Sequence, residues 1–219
     1  MKGILPSDRP REVLVKAHDT TDPKYGFNSL DNLPMEYLLN NSVIVLDKPP
    51  GPTSHEVAAW VRKILGVSKA GHSGTLDPAV SGILPIGIGT ATRAMQALLP
   101  AGKEYVCVME LHSAVAEDRI REVVEEFTGK IYQRPPLKSS VKRVVRVREI
   151  YYDEVLEIQD RLVLMRIGCE AGTYVRKLCY DIGEVLGVGA HMKQLRRTRV
   201  GILREDDHLC KLHDLKDAY

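Results

Sequence analysis

The sequence lacks any long apolar run, which excludes the simplest membrane-spanning architecture. No window of the 219 residues approaches the roughly 18 consecutive apolar residues of a spanning helix. The first residues, MKGILPSDRPREVLVK, reach charge and proline too soon for the apolar region of a secretory signal. The composition, with 44% apolar and 27% charged residues, is typical of one large globular domain. We therefore expect a cytoplasmic protein without a membrane partner.

Cysteine is scarce too, and no C-x-x-C pair is present. The four cysteines are widely spaced, at Cys107, Cys169, Cys179 and Cys210. Without a secretory signal, they are expected to be reduced core residues rather than disulfide partners. The segment HLCKLH, with His208 and His213 on either side of Cys210, lacks the second ligand pair of a zinc finger. A metal site is therefore not expected.

Motifs for common cofactors and nucleophiles are also missing. The segment GHSGT has Thr75 where the nucleophile elbow G-x-S-x-G needs its last glycine. The segment GIGTAT lacks the third glycine of a dinucleotide-binding loop, and no G-K-[ST] phosphate loop occurs. The enzymatic option that these absences leave is a reaction catalysed by side chains alone, with neither cofactor nor metal.

Charge is unevenly distributed, although the net charge of +2 does not by itself predict a nucleic-acid partner. The segment 134–148, RPPLKSSVKRVVRVR, carries six basic residues and no acidic one. They are Arg134, Lys138, Lys142, Arg143, Arg146 and Arg148. The segment LRRTRVG adds Arg196, Arg197 and Arg199. Such a distribution suits contact with a phosphate backbone, and it suits a solvated basic hairpin equally well.

The fold class follows from the order of predicted elements. A strand in SVIVLDKPPGPTS is followed by a helix in which Thr53 and Glu56 have capping-box spacing. The apolar stripe of that helix contains Val57, Trp60, Val61, Ile64 and Leu65. Further helices are predicted in TATRAMQALL, EDRIREVVEEFTG and TYVRKLCYDIGEVLG, and strands in KEYVCVMELHS, EIYYDEVLEI, RLVLMRIGCEAG and HMKQLRRTRVGIL. Thr173 is a candidate cap, and Gly129 and Gly187 are candidate stops. Without a regular βαβ rhythm, a mixed sheet in an α+β domain fits best.

One acidic residue, Asp77, lies in the loop-like run KAGHSGTLDPAVSG. Pro78 biases it toward an extended backbone, and Gly71 and Gly74 allow close approach of a partner. An aspartate is ionised at neutral pH, so a nucleophilic role needs only a nearby arginine to keep its charge in a closed pocket. On these residues alone, a structural Asp-Pro turn is favoured over a catalytic one.

Five blocks in fixed order carry a family resemblance. They are LDKPPGPTSHEV, AGHSGTLDPAVSGILPIGIGTATR, LLPAGKEYV, EAGTYVRKL and GVGAHMKQLRRTRVG. Together they resemble the TruB and dyskerin family of RNA pseudouridine synthases, and most of all its archaeal member that works with box H/ACA guide RNAs. The resemblance runs from about residue 42 to the C-terminus, and ILPSDRPREVLVK before it also looks archaeal.

The resemblance implies a fold and a reaction. The fold would be that of the pseudouridine synthases, a mixed, largely antiparallel sheet flanked by helices. A catalytic domain over 42–219 would follow an N-terminal extension over 1–41, with an RNA-contacting thumb hairpin near 134–150. Family members usually continue into a small RNA-binding PUA domain, and we expect this sequence to lack it. The reaction would isomerise a uridine within RNA to pseudouridine without a cofactor.

The resemblance also assigns three catalytic residues. Asp77 would attack either the ribose C1′ or the base, and the sequence leaves this choice open. Tyr105 would stack on the flipped uracil and help to move a proton. Arg176 would pair with Asp77 and keep it ionised. From spacing alone, a core tyrosine is favoured for Tyr105 and an exposed helical arginine for Arg176, although a cation near a helix start favours an anionic partner.

Four further residues are assigned to substrate binding. Lys48 and Pro49 would support the loop that carries Asp77. His72 would lie near the space that the target nucleotide vacates, and Leu195 would supply an apolar wall for the base. The six basic residues of 134–148 would contact RNA as part of the thumb.

Partners follow from the same resemblance: tRNA, rRNA, an H/ACA guide RNA and the small proteins of the H/ACA particle. The expected substrates are rRNA uridines selected by the guide RNA and, directly, the T-loop uridine of tRNA. The alternative is an RNA-binding assembly scaffold of an H/ACA-like particle without catalysis. A glycoside or nucleoside hydrolase would need a second poised carboxylate, and no partner for Asp77 is identifiable in the sequence.

Overall fold

The computed structural model describes residues 3–20, 22, 24–25, 33–135, 142–206 and 209–219. Its helices are α1 (Met35–Asn41), α2 (Ser54–Ile64), α3 (Met95–Leu98), α4 (Glu117–Glu126), α5 (Val175–Val185) and α6 (Leu212–Ala218). Its strands are β1 (Val43–Lys48), β2 (Ala70–His72), β3 (Ser81–Ile88), β4 (Lys103–Leu111), β5 (Gly129–Gln133), β6 (Arg146–Gln159), β7 (Leu162–Cys169), β8 (Ala190–Val200) and β9 (Leu203–Arg204).

All nine strands of the described ranges belong to one sheet. The main path is β1-β3-β8-β4-β7-β6-β5, with β2 paired to β3 and β9 paired to β8. Every pairing is antiparallel except that of β3 with β8, where Ser81 and Gly82 lie opposite Arg196 and Arg197. The predicted α+β class with a mixed, largely antiparallel sheet flanked by helices is therefore confirmed.

Two apolar clusters anchor the helices to the sheet. The larger one packs Leu178 and Ile182 of α5 against buried residues of β4 and β7. The smaller one packs Val57 and Val61 of α2 against Leu84 and neighbouring residues of β3. Each fully buried side chain of this size contributes about 1.5–3 kcal/mol. Consequently the two helices that flank the candidate site are held to the sheet.

The cysteines fit the predicted reduced core with one exception. Cys107, Cys169 and Cys179 are buried and free, and the sulfur atoms of Cys107 and Cys179 are 3.5 Å apart. Cys210 is also free but only half-buried, and it forms an isolated bridge to Leu46 of β1, an edge strand of the sheet.

Helix α2 has the predicted capping box. The Thr53 hydroxyl accepts a hydrogen bond from the Glu56 amide at 3.1 Å, and the Thr53 amide donates to the Glu56 carboxylate at 2.7 Å. The predicted apolar stripe is wrong at Trp60, which is 44% exposed. The buried row advances by four residues through Val57 and Val61, and Trp60 lies beside that row.

Three other local predictions need correction. The segment TATRAMQALL forms a 3₁₀ turn over Gly89–Arg93 and the four-residue α3 rather than one helix. Thr173 does not cap α5, because its hydroxyl donates to the Glu170 carbonyl at 2.7 Å. Helix α4 ends at Glu126, before Gly129, which begins β5.

The N-terminal residues contain a docked segment. Leu5 is fully buried, and the 3₁₀ turn Pro6–Asp8 follows it. The Asp8 carboxylate forms an ion pair with Arg199 of β8. This pair ties the start of the chain to a strand in the middle of the sheet.

Candidate active site

The loop between β2 and β3 presents Asp77 to solvent while its neighbours are fixed. The Ser54 hydroxyl, at the start of α2, accepts from the Leu76 amide at 2.8 Å and donates to the Leu76 carbonyl at 3.1 Å. Leu76 is only 4% exposed, and the Val80 amide donates to the Asp77 carbonyl at 3.0 Å. The loop is therefore pinned on both sides of an exposed carboxylate.

Lys48 holds the Asp77 loop from its buried side. It is fully buried, and its ammonium donates to the carbonyls of Pro49, Pro78 and Val80 at 2.9, 3.0 and 2.8 Å. Burial lowers the pKa of Lys48, whereas the charge of Asp77 raises it. Lys48 thus contacts the segment that follows Asp77, and Pro49 contributes a carbonyl that accepts from the same ammonium.

Arg176, the second residue of α5, pairs directly with Asp77. Its Nη2 lies 2.6 Å from Oδ2 of the carboxylate, and the two side chains are 59% and 57% exposed. An ion pair this exposed contributes at most about 1 kcal/mol to stability. Its geometry therefore has more bearing on chemistry than on folding: a carboxylate with a cationic partner stands at an open surface.

Tyr105 and Leu195 lie on the neighbouring strands β4 and β8. Both are partly buried against the larger apolar cluster. Burial raises the pKa of Tyr105 above its ordinary value, nearby Arg197 opposes this rise, and the Asp77 charge adds to it. Tyr105 is thus within electrostatic reach of Asp77, and its phenol is protonated at neutral pH.

His72 lies on β2, at the other side of the loop. Its ring meets that of His55 edge-on, with centroids 4.8 Å apart, and neither ring nitrogen has a hydrogen-bond partner among the described residues. Burial, then the charges of His55 and Arg197, lowers the pKa of His72, so the ring is neutral at pH 7. A cavity of about 400 Å³ between α2 and β2 is lined by His55, Arg62 and His72.

The described part of the basic segment follows β5, the edge strand of the sheet, and leads into β6. Arg134, Lys142 and Arg143 are exposed near the β5–β6 hairpin, whereas Arg146 and Arg148 are half-buried on β6. Lys138 lies outside the described residues.

Arg148 links this edge to the candidate site. Its guanidinium is 3.5 Å from the Glu170 carboxylate, and it lies beside Gly172, on the loop that leads into Arg176.

Sequence reasoning missed two buried cations behind the loop. Arg197 is 1% exposed and Lys103 is 4% exposed. The Lys103 ammonium donates to the carbonyls of Leu99 and Ala101 at 2.6 and 2.7 Å, and burial lowers its pKa to about 8. No local signal was available, because three consecutive residues, Arg197, Thr198 and Arg199, are buried and alternation cannot single out one of them.

The part of the chain that the structure describes contains no group of three or more His, Cys, Asp or Glu side chains that could hold a metal ion. His208, part of the segment HLCKLH, lies outside it. Within the described ranges, no helix has the length and apolar character needed to cross a membrane.

Comparison with known proteins places the chain in one class, the pseudouridylate synthases. The profile of the TruB family pseudouridylate synthase N-terminal domain matches residues 62–175, more than half of the chain. The tRNA pseudouridylate synthase B C-terminal domain matches residues 176–219, and the DKCLD domain matches residues 5–58. The chain belongs to the TruB family.

Curated relatives agree with this assignment. A probable tRNA pseudouridine synthase B of Methanopyrus kandleri is 60% identical over 98% of this chain and 63% of its own length. The protein of the same name from Pyrococcus abyssi is 59% identical over the whole chain and 66% of its own length. The chain thus spans just under two thirds of the relatives it matches.

Solved structures are similar over the same extent. A chain of a Cbf5-Nop10-Gar1 complex superposes with a TM-score of 0.94 at 58% identity, covering 99% of this chain and 66% of that one. A chain of an H/ACA RNP bound to a substrate RNA containing 2′-deoxyuridine gives a TM-score of 0.90 at 56% identity, covering 98% and 64%. The fold described above is therefore shared with these two chains over nearly the whole of this one.

Proposed function

We propose that this protein isomerises uridine to pseudouridine within RNA. The observation that carries the proposal is the Asp77–Arg176 pair at 2.6 Å, on a loop pinned by Lys48 and Ser54, in a chain of the TruB family. An exposed, rigidly held carboxylate with a cationic partner is suited to react as an anion.

The isomerisation breaks the bond between N1 and C1′ and forms a bond between C5 and C1′. C5 then loses its proton and N1 gains one, so the reaction consumes no cofactor. Asp77 attacks the ribose C1′ or the base, Arg176 keeps it ionised, and Tyr105 stacks on the flipped uracil. Stacking offsets part of the few kcal/mol that unstacking the target nucleotide costs. Leu195 adds an apolar wall, and His72 lies near the space that the nucleotide leaves.

RNA contacts are proposed for the basic edge around the β5–β6 hairpin. Arg134, Lys142 and Arg143 are exposed and suited to phosphate contacts, whereas Arg146 and Arg148 are half-buried and closer to the sheet. Lys138 completes the set. These contacts follow the backbone rather than the bases, so they would tolerate different target sequences.

The partners proposed are a guide RNA and small proteins of an H/ACA particle, with rRNA as the guided substrate and the T-loop uridine of tRNA as a direct one. Similarity to chains of a Cbf5-Nop10-Gar1 complex and of an H/ACA RNP bound to RNA supports this choice. The site of action proposed is the cytoplasm.

Tritium release tests the proposal. The protein, with its partners, is incubated with tRNA and with a guide–target pair, each carrying tritium at uridine C5. Release that disappears in Asp77→Asn establishes the synthase and identifies its substrate. Tight RNA binding without release from either RNA would instead favour an assembly scaffold.

A further inference from the structure

Arg197 of β8 is a buried cation whose described partners are main-chain carbonyls and a phenol, not a carboxylate. Its Nε donates to the Ile83 carbonyl of β3 at 2.8 Å, and its Nη2 donates to the Gly74 carbonyl at 3.1 Å. Gly74 lies three residues before Asp77. Burying a charge without an opposite charge costs several kcal/mol even when it is hydrogen-bonded.

A β-bulge brings Arg197 opposite Tyr105. Glu104 of β4 pairs with Arg199, but Tyr105 pairs with Arg197, so Thr198 is the extra residue between them. Directly opposite side chains share one face of a sheet, with Cβ atoms about 5 Å apart. The guanidinium is close enough to the phenol for its charge to oppose the rise in the pKa of Tyr105. One side chain therefore joins the Asp77 loop, strand β3 and Tyr105.

Arg199 shows that a buried arginine on this strand can be compensated. It is 7% exposed, and its guanidinium pairs with the Asp8 carboxylate and donates to the Gly201 carbonyl at 3.1 Å. Its charge is thus neutralised locally and serves the docking of the N-terminal segment. The charge of Arg197 has no such partner among the described residues, and it acts on the phenol and on the loop.

We propose that Arg197 is the positioning residue that aligns Tyr105 with the Asp77 loop for proton transfer during the isomerisation. The proposal rests on the proposed function and deepens it. A phenol oxygen that accepts from Arg197 has its own O–H free to point elsewhere, here toward the base. In that orientation, the phenol can relay a proton from C5, which loses one, to N1, which gains one.

Kinetics of Arg197→Lys, Tyr105→Phe and the double variant test this coupling. Lysine keeps the buried charge but presents one compact ammonium instead of a fork, so it cannot span the same three acceptors. We expect kcat to fall about 30-fold in Arg197→Lys with KM within about threefold, and little further loss in the double variant. Arg199→Lys, the matched control, should change kcat by less than about threefold.

Additive losses in the double variant would overturn the proposal, because they would mean that Arg197 does not act through Tyr105. A wild-type kcat in Arg197→Lys would also overturn the proposal, once thermal melting has shown that this variant is folded.

A second readout needs no turnover. Tyrosine carrying ¹³C at Cζ reports the state of each phenol, and the Tyr105 resonance is identified by its loss in Tyr105→Phe. In Arg197→Lys this resonance should shift, and in Arg199→Lys it should not. If Arg197→Lys fails to fold, the ¹⁵N resonances of the Arg197 guanidinium are compared between wild type and Tyr105→Phe, where a change is expected.

An unchanged resonance in either comparison would refute the contact. Shifted resonances in a wild-type protein that releases no tritium would instead count against the proposed function.

Discussion

Asp153 on β6 lowers the stability of this protein at neutral pH, and replacing it should reveal by how much. Neither carboxylate oxygen has a hydrogen-bond partner within the described ranges, and burial raises the pKa of Asp153 from 3.8 to about 8. Between pH 4 and 8, Asp153 is therefore protonated in the folded state and ionised in the unfolded state. The contribution of Asp153 to the free energy of unfolding is therefore most favourable below pH 4, and it declines as the pH rises toward 8.

The magnitude follows from the size of the shift. Each pKa unit corresponds to about 1.4 kcal/mol, so at pH 7 the folded state loses about 4 kcal/mol relative to pH 4 from this group. The nearby thiols do not titrate in this window. Burial raises the pKa of Cys169 to about 12, and a hydrogen bond to Cys107, together with burial, raises that of Cys179.

Urea unfolding at pH 5, 6, 7 and 8 provides the assay. Between pH 5 and 7 the free energy of unfolding should fall less steeply with pH in Asp153→Asn than in the wild type. The two slopes should differ by about 1.4 kcal/mol per pH unit. Asp160→Asn is the matched control, since Asp160 is exposed in the β6–β7 turn, where asparagine also tolerates its φ of 53°. Equal pH slopes for wild type and Asp153→Asn would refute the assignment of a buried, unpaired acid.

Three further predictions concern the site and its basic edge. Arg176→Ala should change the free energy of unfolding by less than about 1 kcal/mol, because its ion pair is exposed, yet reduce tritium release at least 100-fold; equal losses of stability and activity would contradict this. Lys48→Met should cost about 3 kcal/mol in urea unfolding, because three carbonyls lose their donor; an unchanged midpoint would exclude the pinning role. In RNA titrations, log affinity falls as log salt concentration rises. Replacing Arg134, Lys142 and Arg143 by glutamine should make this slope shallower by about 2 to 3. An unchanged slope would place the phosphate contacts elsewhere.

Local chemistry made much of the fold predictable. The capping box at Thr53 and Glu56, the β4 strand and the α5 helix depend on residues close in sequence, so their patterns were sufficient. Predictions failed where a neighbour far along the chain decides the outcome. Trp60 fits an apolar stripe, but the sheet beneath α2 covers only the row through Val57 and Val61.

The candidate site divides in the same way. The loop around Asp77 was recognisable from its glycines, its proline and its isolated carboxylate. The sequence, through its ordered blocks, also determined the family, and it predicted the residues of the site. The roles of these residues remain predictions.

The tertiary structure alone decided which charges are buried. Arg197 faces Tyr105 because a bulge at Thr198 shifts the register of β8 against β4, and no local pattern specifies a bulge. Asp153 is buried because the inward parity of β6 is set by its pairing with β7, where it lies opposite Ile167. A strand sequence gives alternation but not the face that turns inward. Which face turns inward depends on strands and helices far along the chain. It decides whether a charged side chain is solvated or is buried where it shapes the site.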